Sequence, residues 1–219
     1  MPQVKTAVEP EKPLRTLLYD LGSKSLDETE EAATTLAKVK FTNRKEKKVG
    51  NDLVDKGAVQ FLLMALRNHP ESMAVLLHCM TFMFEISTLD NPEFHLTLTE
   101  LDGSSYIVDM MTSHQNYAQL QTFGVGILAK ACAGSVDSAT NVVKNNGIAA
   151  VVAAMKAFPE EEMIQQSGLQ MLGHVGKIDG AWAARIKDEG GLDAVNSILH
   201  TFPKGPIARD AKKTMKILQ

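Results

Sequence analysis

Residues Asn141 to Val175 read NVVKNNGIAAVVAAMKAFPEEEMIQQSGLQMLGHV, a helix, a glycine, a second helix, a proline corner and a third helix. Val142, Val143, Ile148, Val151, Val152, Met155, Ile164, Met171, Leu172 and Val175 recur at three- and four-residue intervals, which places them on apolar stripes of successive helices. Gly147 and Pro159 stand where such helices stop and restart. No nucleophile, base or metal-ligand spacing accompanies the pattern, so the stretch speaks of architecture rather than catalysis.

Moving outward, the same unit recurs. Gly57, Gly103, Gly147 and Gly191 are spaced by 46, 44 and 44 residues. A second ladder places a small residue at Ala32, Cys79, Gly124, Gly168 and Ala211, with spacings of 47, 45, 44 and 43. Four residues after each stands a larger apolar one: Leu36, Met83, Leu128, Leu172 and Met215. Small and large therefore share one face of each unit's third helix, where close approach of a neighbouring helix demands them. The corners repeat too, as His69-Pro70, His114-Gln115, Phe158-Pro159 and Phe202-Pro203; proline forces the break at three of the four. Asn91-Pro92, Asp137 and Asp179 precede the first helices and are expected as their N-caps.

These residues, above all the GxxxVVxxMxxFPxxxxIQxxGxxxL of Gly147 to Leu172 and the IKDEGGLDAV of Ile186 to Val195, resemble the armadillo-repeat family, with the HEAT repeat as nearest rival. The resemblance covers roughly residues 26 to 218. It implies an all-α, armadillo-type α-solenoid, a right-handed superhelix of about four three-helix repeats plus a partial N-terminal repeat, whose third helices line a groove. Residues 1–13 read as an extended arm. Residues 14–219 read as one repeat domain: a partial repeat at 14–42, then repeats at about 43–88, 89–134, 135–177 and 178–219. A lone unit buries too little apolar surface to offset the entropy of ordering it, so the units must stack.

Composition excludes several classes. The net charge of −3 supplies no strong global field, so nucleic acid is not an expected partner. No apolar run reaches the roughly 18 residues of a membrane helix; the best, MAVLLHCMTFMFEI, is interrupted by His78, Thr81 and Glu85. The opening MPQVKTAVEPEKP has no apolar signal core and no arginine-rich presequence, which points to the cytoplasm. Cys79 and Cys132, each within an apolar helix, read as buried reduced thiols. The six histidines show no HExxH spacing, and Gly124/Gly126 and Gly173/Gly176 fall inside helices rather than after strands; no metal, cofactor or small-molecule substrate is expected.

Along the chain, Leu14 to Leu21 is a short helix ended by Gly22. Ser25 and Glu28 match a capping box for an acidic helix bearing Asp27, Glu28, Glu30 and Glu31 and running to Lys40. Arg44, Lys45, Lys47 and Lys48 read as a solvated helix face in preference to a phosphate site, because no aromatic residue is interleaved. The alternating PEFHLTLTEL segment invites a strand, but its place in the ladders favours helix.

In import receptors of the importin-α type, third helices carry a Trp and, four residues later, an Asn. By register these positions are Thr34 and Lys38, Thr81 and Glu85, Gly126 and Lys130, and Gln170 and His174. No Trp or Asn is among them, so the import-receptor reading fails. Lys38, Thr81, Glu85, Lys130, Gln170 and His174 become the candidate partner-binding residues, suited to a segment with polar and acidic groups. The functional expectation is a non-enzymatic scaffold or adaptor that binds a protein partner along the groove. The alternatives are a constitutive subunit of a large multiprotein assembly and a chaperone nucleotide-exchange regulator.

Overall fold

The computed structural model describes residues 12–219 as fourteen α-helices with no strand among them. All of the expected 1–13 arm except Lys12 and Pro13 lies outside the described residues. Packing contacts gather into two units, one ending at Thr97 and the other starting at Leu98.

The first unit holds α1 (Leu14–Leu21), α2 (Leu26–Leu36), α3 (Arg44–Asp55), α4 (Ala58–Asn68), α5 (Met73–Ser87) and most of α6 (Pro92–Glu100). Helix α4 shows the governing rule: Val59, Leu62, Leu63 and Leu66 are buried, the one-face spacing of an amphipathic helix. Helix α5 is apolar nearly all round, because it packs against α2, α3 and α4. Helix α2 stops at Leu36, short of the expected Lys40. The chain leaves it to bury Phe41, whose N–H donates to Glu85 of α5 at 3.0 Å instead of continuing the helical ladder.

The second unit holds α7 (Gly103–Ser113), α8 (Ala118–Gly134), α9 (Val136–Lys144), α10 (Gly147–Ala157), α11 (Glu162–Ile178), α12 (Gly180–Asp188), α13 (Gly191–Thr201) and α14 (Pro206–Leu218). The third helix of each triplet packs on the next, α8 against α11 and α11 against α14, as α2 packs on α5 in the first unit. The small-residue ladder lies on these helices, and each of its members is buried.

The contacts explain why the rungs differ in size. A Cβ on Gly124 would stand 2.6 Å from Met111 Sδ, and one on Gly168 would stand 2.4 Å from Met155 Sδ. The register-equivalent pairs elsewhere are Cys79 with Leu66 and Ala211 with Ile198. At those two rungs the larger residue thus stands opposite a branched, shorter one by register, while each glycine meets a methionine.

The glycine ladder needs a correction. Gly57 is the N-cap of α4 with φ +88°, and its structural equivalents are Asp102 (φ +50°), Asn146 (φ +60°) and Gly190 (φ +79°), all left-handed. Gly103, Gly147 and Gly191 stand one residue later, at the first helical position, where the first unit has Ala58. That position is crowded rather than left-handed: a Cβ on Gly147 would meet Val142 Cγ1 at 2.4 Å and the Val142 carbonyl oxygen at 2.8 Å. Two constraints one residue apart had merged into one ladder, which is why its first spacing was 46.

Capping also departs in detail from expectation. Asp179 does cap α12, accepting from Ala181 N–H at 2.8 Å, and Asn91 accepts from Glu93 N–H at 2.9 Å. Asp137 does not cap α9: Ser135 does, accepting from Ser138 N–H at 3.0 Å, and Asp137 lies in the first turn, where the helix dipole favours it. Ser25 accepts from Glu28 N–H at 3.5 Å, but the Glu28 carboxylate takes the Ser23 hydroxyl, so the reciprocal box is absent there. A complete capping box forms instead at Asn43 and Glu46.

Two buried glutamines close the corners of the second unit. Gln121 Nε2 donates to the Met111 and His114 carbonyls at 2.8 and 3.0 Å, and Gln165 Nε2 to those of Met155 and Phe158 at 2.8 and 2.9 Å. Each thereby satisfies carbonyls left over at a second helix's end. Arg185 of α12 ties neighbouring triplets, donating to the Val143 carbonyl and to Asn146 Oδ1, each at 3.0 Å, while its Nε holds Glu189 at 2.7 Å.

Candidate functional site

The six candidate residues fall into two sets. In the first unit, Lys38 is exposed in the turn after α2, and Thr81 and Glu85 lie one turn apart on α5, which packs on α2. Thr81 donates its hydroxyl to the Leu77 carbonyl at 2.7 Å. Glu85, only 16% exposed in its side chain, accepts from Phe41 N–H and from Lys40 Nζ at 2.9 Å. Beside them, Thr34 Oγ1 is hydrogen-bonded to His78 Nδ1 at 3.0 Å. These polar groups are therefore largely engaged in holding their own unit together.

In the second unit, Lys130 is half-buried on α8, while Gln170 and His174 are exposed one turn apart on α11, the helix packed against it. Helical spacing extends these into rows that include residues not singled out from the sequence. Thr122, Gln166 and Arg209 form one row across α8, α11 and α14; Gly126, Gln170 and Lys213 form the next. Gly126 is buried and contributes no side chain to its row. Counting one turn back from Gly126 and Gln170, then stepping by the repeat, finds Thr122, Gln166 and Arg209.

Charge separates the two sets. Helices α2 and α5 carry Asp27, Glu28, Glu30, Glu31 and Glu85 and no lysine or arginine. Four of these acids are occupied: Glu28 by the Ser23 hydroxyl, Glu30 by that of Ser72 at 2.6 Å, Glu31 by Lys12 at 3.4 Å, and Glu85 as above. Helices α8, α11 and α14 carry Lys130, Lys177, Arg209, Lys212, Lys213 and Lys216 against Glu162 and Asp210. Only Lys213 is paired, with Asp210 at 3.0 Å; the other five cations have no hydrogen-bond or ion-pair partner among the described residues.

Other chemistry finds little purchase. Among the described residues no three His, Cys, Asp or Glu side chains converge as a metal site would require. Both cysteines are free and buried, and burial pushes the thiol of Cys132 up to about 12 and that of Cys79 higher still, the opposite of a reactive thiolate. A cavity of about 50 Å³ between α7 and α10, lined by Met111, Gln121 and alanines of α10, is far below the size of a ligand pocket. No helix among the described residues is long and apolar enough to cross a membrane.

No protein-family model and no curated protein matches the chain. Solved structures do. A designed armadillo repeat protein superposes with a TM-score of 0.75 at 16% identity, covering 94% of this chain and 82% of the other. The chain has the armadillo-repeat fold. A second designed armadillo repeat protein, in complex with the peptide (KR)4, gives 0.73 at 15% identity over 94% and 82% of the two chains. An engineered protein gives 0.74 at 19% identity over 94% and 78%. In armadillo terms, the exposed rows on α8, α11 and α14 belong to the third helices, the position that defines the candidate site.

Proposed function

We propose that this armadillo chain is a non-enzymatic scaffold that binds a protein segment across the third helices of its second unit, and that the segment is polar and acidic. The observation that carries the reading is the set of cations there without partners among the described residues, Lys130, Lys177, Arg209, Lys212 and Lys216, beside the neutral amides of Gln166 and Gln170. Cations left without intramolecular partners contribute little to stability, and they retain their full capacity for charge-assisted hydrogen bonds to carboxylates. A neighbour of the same fold holds (KR)4, so the architecture is suited to extended peptides. The sign of the charge on this chain calls for a ligand opposite in character.

Affinity capture with the whole chain and with the Lys130→Glu, His174→Glu double variant tests this. Both positions are on the helix surface, so the variant should fold with an unchanged circular dichroism spectrum and lose the captured partner. A partner retained at full yield would overturn the assignment.

A further inference from the structure

A second cationic surface lies on α3, in the first unit. Arg44, Lys45, Lys47 and Lys48 are all exposed, and none has an ion-pair or hydrogen-bond partner among the described residues. With Thr42 and Asn51 they surround an open depression of about 820 Å³. The acid in their midst does not neutralise them. Glu46 is turned back onto the helix start, where its carboxylate accepts from Thr42 N–H and the Thr42 hydroxyl, each at 2.7 Å, and from Asn43 N–H at 3.2 Å. Asn43 Oδ1 in turn accepts from Glu46 N–H at 3.0 Å. The capping box thus holds the first turn and withdraws its negative charge from the side that Arg44, Lys47 and Lys48 share, with Lys45 at its edge.

We propose that this face of α3 is a docking surface for a short acidic protein segment. Arg44, Lys47, Lys48 and Asn51 share one side of the helix over seven residues, roughly 10 Å at 1.5 Å rise per residue. An extended segment of about three to four residues spans that length. Carboxylates at alternate positions would meet the Arg44 guanidinium and the lysine ammonium groups in charge-assisted pairs. The lining favours a protein over other polyanions. No aromatic side chain lies in the depression for a nucleic-acid base to stack on, and no apolar side chain lies there to enter a bilayer.

The proposal is independent of the third-helix reading and is tested site by site. The whole chain, labelled with nitrogen-15, is titrated with a peptide of six consecutive glutamates at low salt, and the amide shifts are followed. Saturable shifts are expected at residues 42–51, absent with a six-glutamine peptide and weakened at least tenfold in Lys45→Glu, Lys48→Glu. They should persist in Lys130→Glu, His174→Glu, which removes only the other surface. Shifts confined to α8, α11 and α14, equal shifts with six glutamines, or stronger saturation of the same amides by a mixed-sequence oligonucleotide or by phosphatidylserine vesicles would overturn it.

Discussion

The third helices of the two units share a fold and a register but use their charges differently. In α2 and α5 the acids are spent inside the unit: Glu85 secures the Phe41 backbone and Lys40, Glu30 takes a serine hydroxyl, and Glu31 faces Lys12. In α8, α11 and α14, among the described residues, Lys213 is the one cation that is paired. The lesson is that a charged residue at a ligand-binding register position is a site only when the fold has no prior use for it. Glu85 and Lys130 occupy equivalent positions by sequence, yet the first holds a connection between helices and the second has no partner among the described residues.

The largest expected effect probes the interior that both units share. Gly168→Val should destabilise the chain by about 3 kcal/mol in denaturant unfolding, since even its Cβ would overlap Met155 and overpacking costs about 1–3 kcal/mol. Cys79→Val, at the same rung of the first unit, should cost clearly less, because the partner there is Leu66; equal losses would refute the size complementarity. Next, Gln165→Leu should cost about 2 kcal/mol by stranding the Met155 and Phe158 carbonyls, a clamp absent from α5, where Leu76 stands at that position.

The comparison of charges is tested directly by Glu85→Ala against Lys130→Glu, His174→Glu. The first should lose about 1.5–2 kcal/mol of stability, because it strands the Phe41 N–H and removes a charged acceptor. The second should stay within about 0.5 kcal/mol of the parent, as exposed surface changes do. A reversed order would abolish the distinction between spent and available charge.

The smallest effect is a pH response at α3. Hydrogen bonds from the Thr42 hydroxyl and backbone hold the Glu46 carboxyl below its ordinary value of 4.5. A carboxylate with a lowered folded-state value adds stability that is complete above the unfolded value and fades as pH falls through the folded one. A carbon-detected titration should therefore place the Glu46 midpoint below the ordinary glutamate value of 4.5, and the Asn43 and Glu46 amide shifts should follow it. A midpoint at or above that value would deny the capping box its role.

Much of this was legible in the residues because it depends on neighbours a few positions away. The apolar stripe of α4, the breaks at Pro70, Pro159 and Pro203, and the helical nature of PEFHLTLTEL all follow from spacing along the chain. What misled was detail within a turn or a corner, where spacing alone does not say which of several nearby groups makes the contact. Asp137 looked like a cap, but Ser135 reaches the free N–H first. Gly57 and Gly147 looked equivalent, yet one answers to a dihedral angle and the other to a clash across a turn. Nothing in the spacing of Gln121 and Gln165 marks them as the residues that close helix-end carbonyls.

From its order of residues alone, this protein was bound to be a series of like helical triplets, because a period near 44 with small rungs admits close-packed helices and little else. Only the folded arrangement decided which charges are consumed and which remain. Whether a carboxylate meets a backbone N–H or a lysine stays in water depends on segments some 40 residues apart being brought within 3 Å. No local pattern carries that distance.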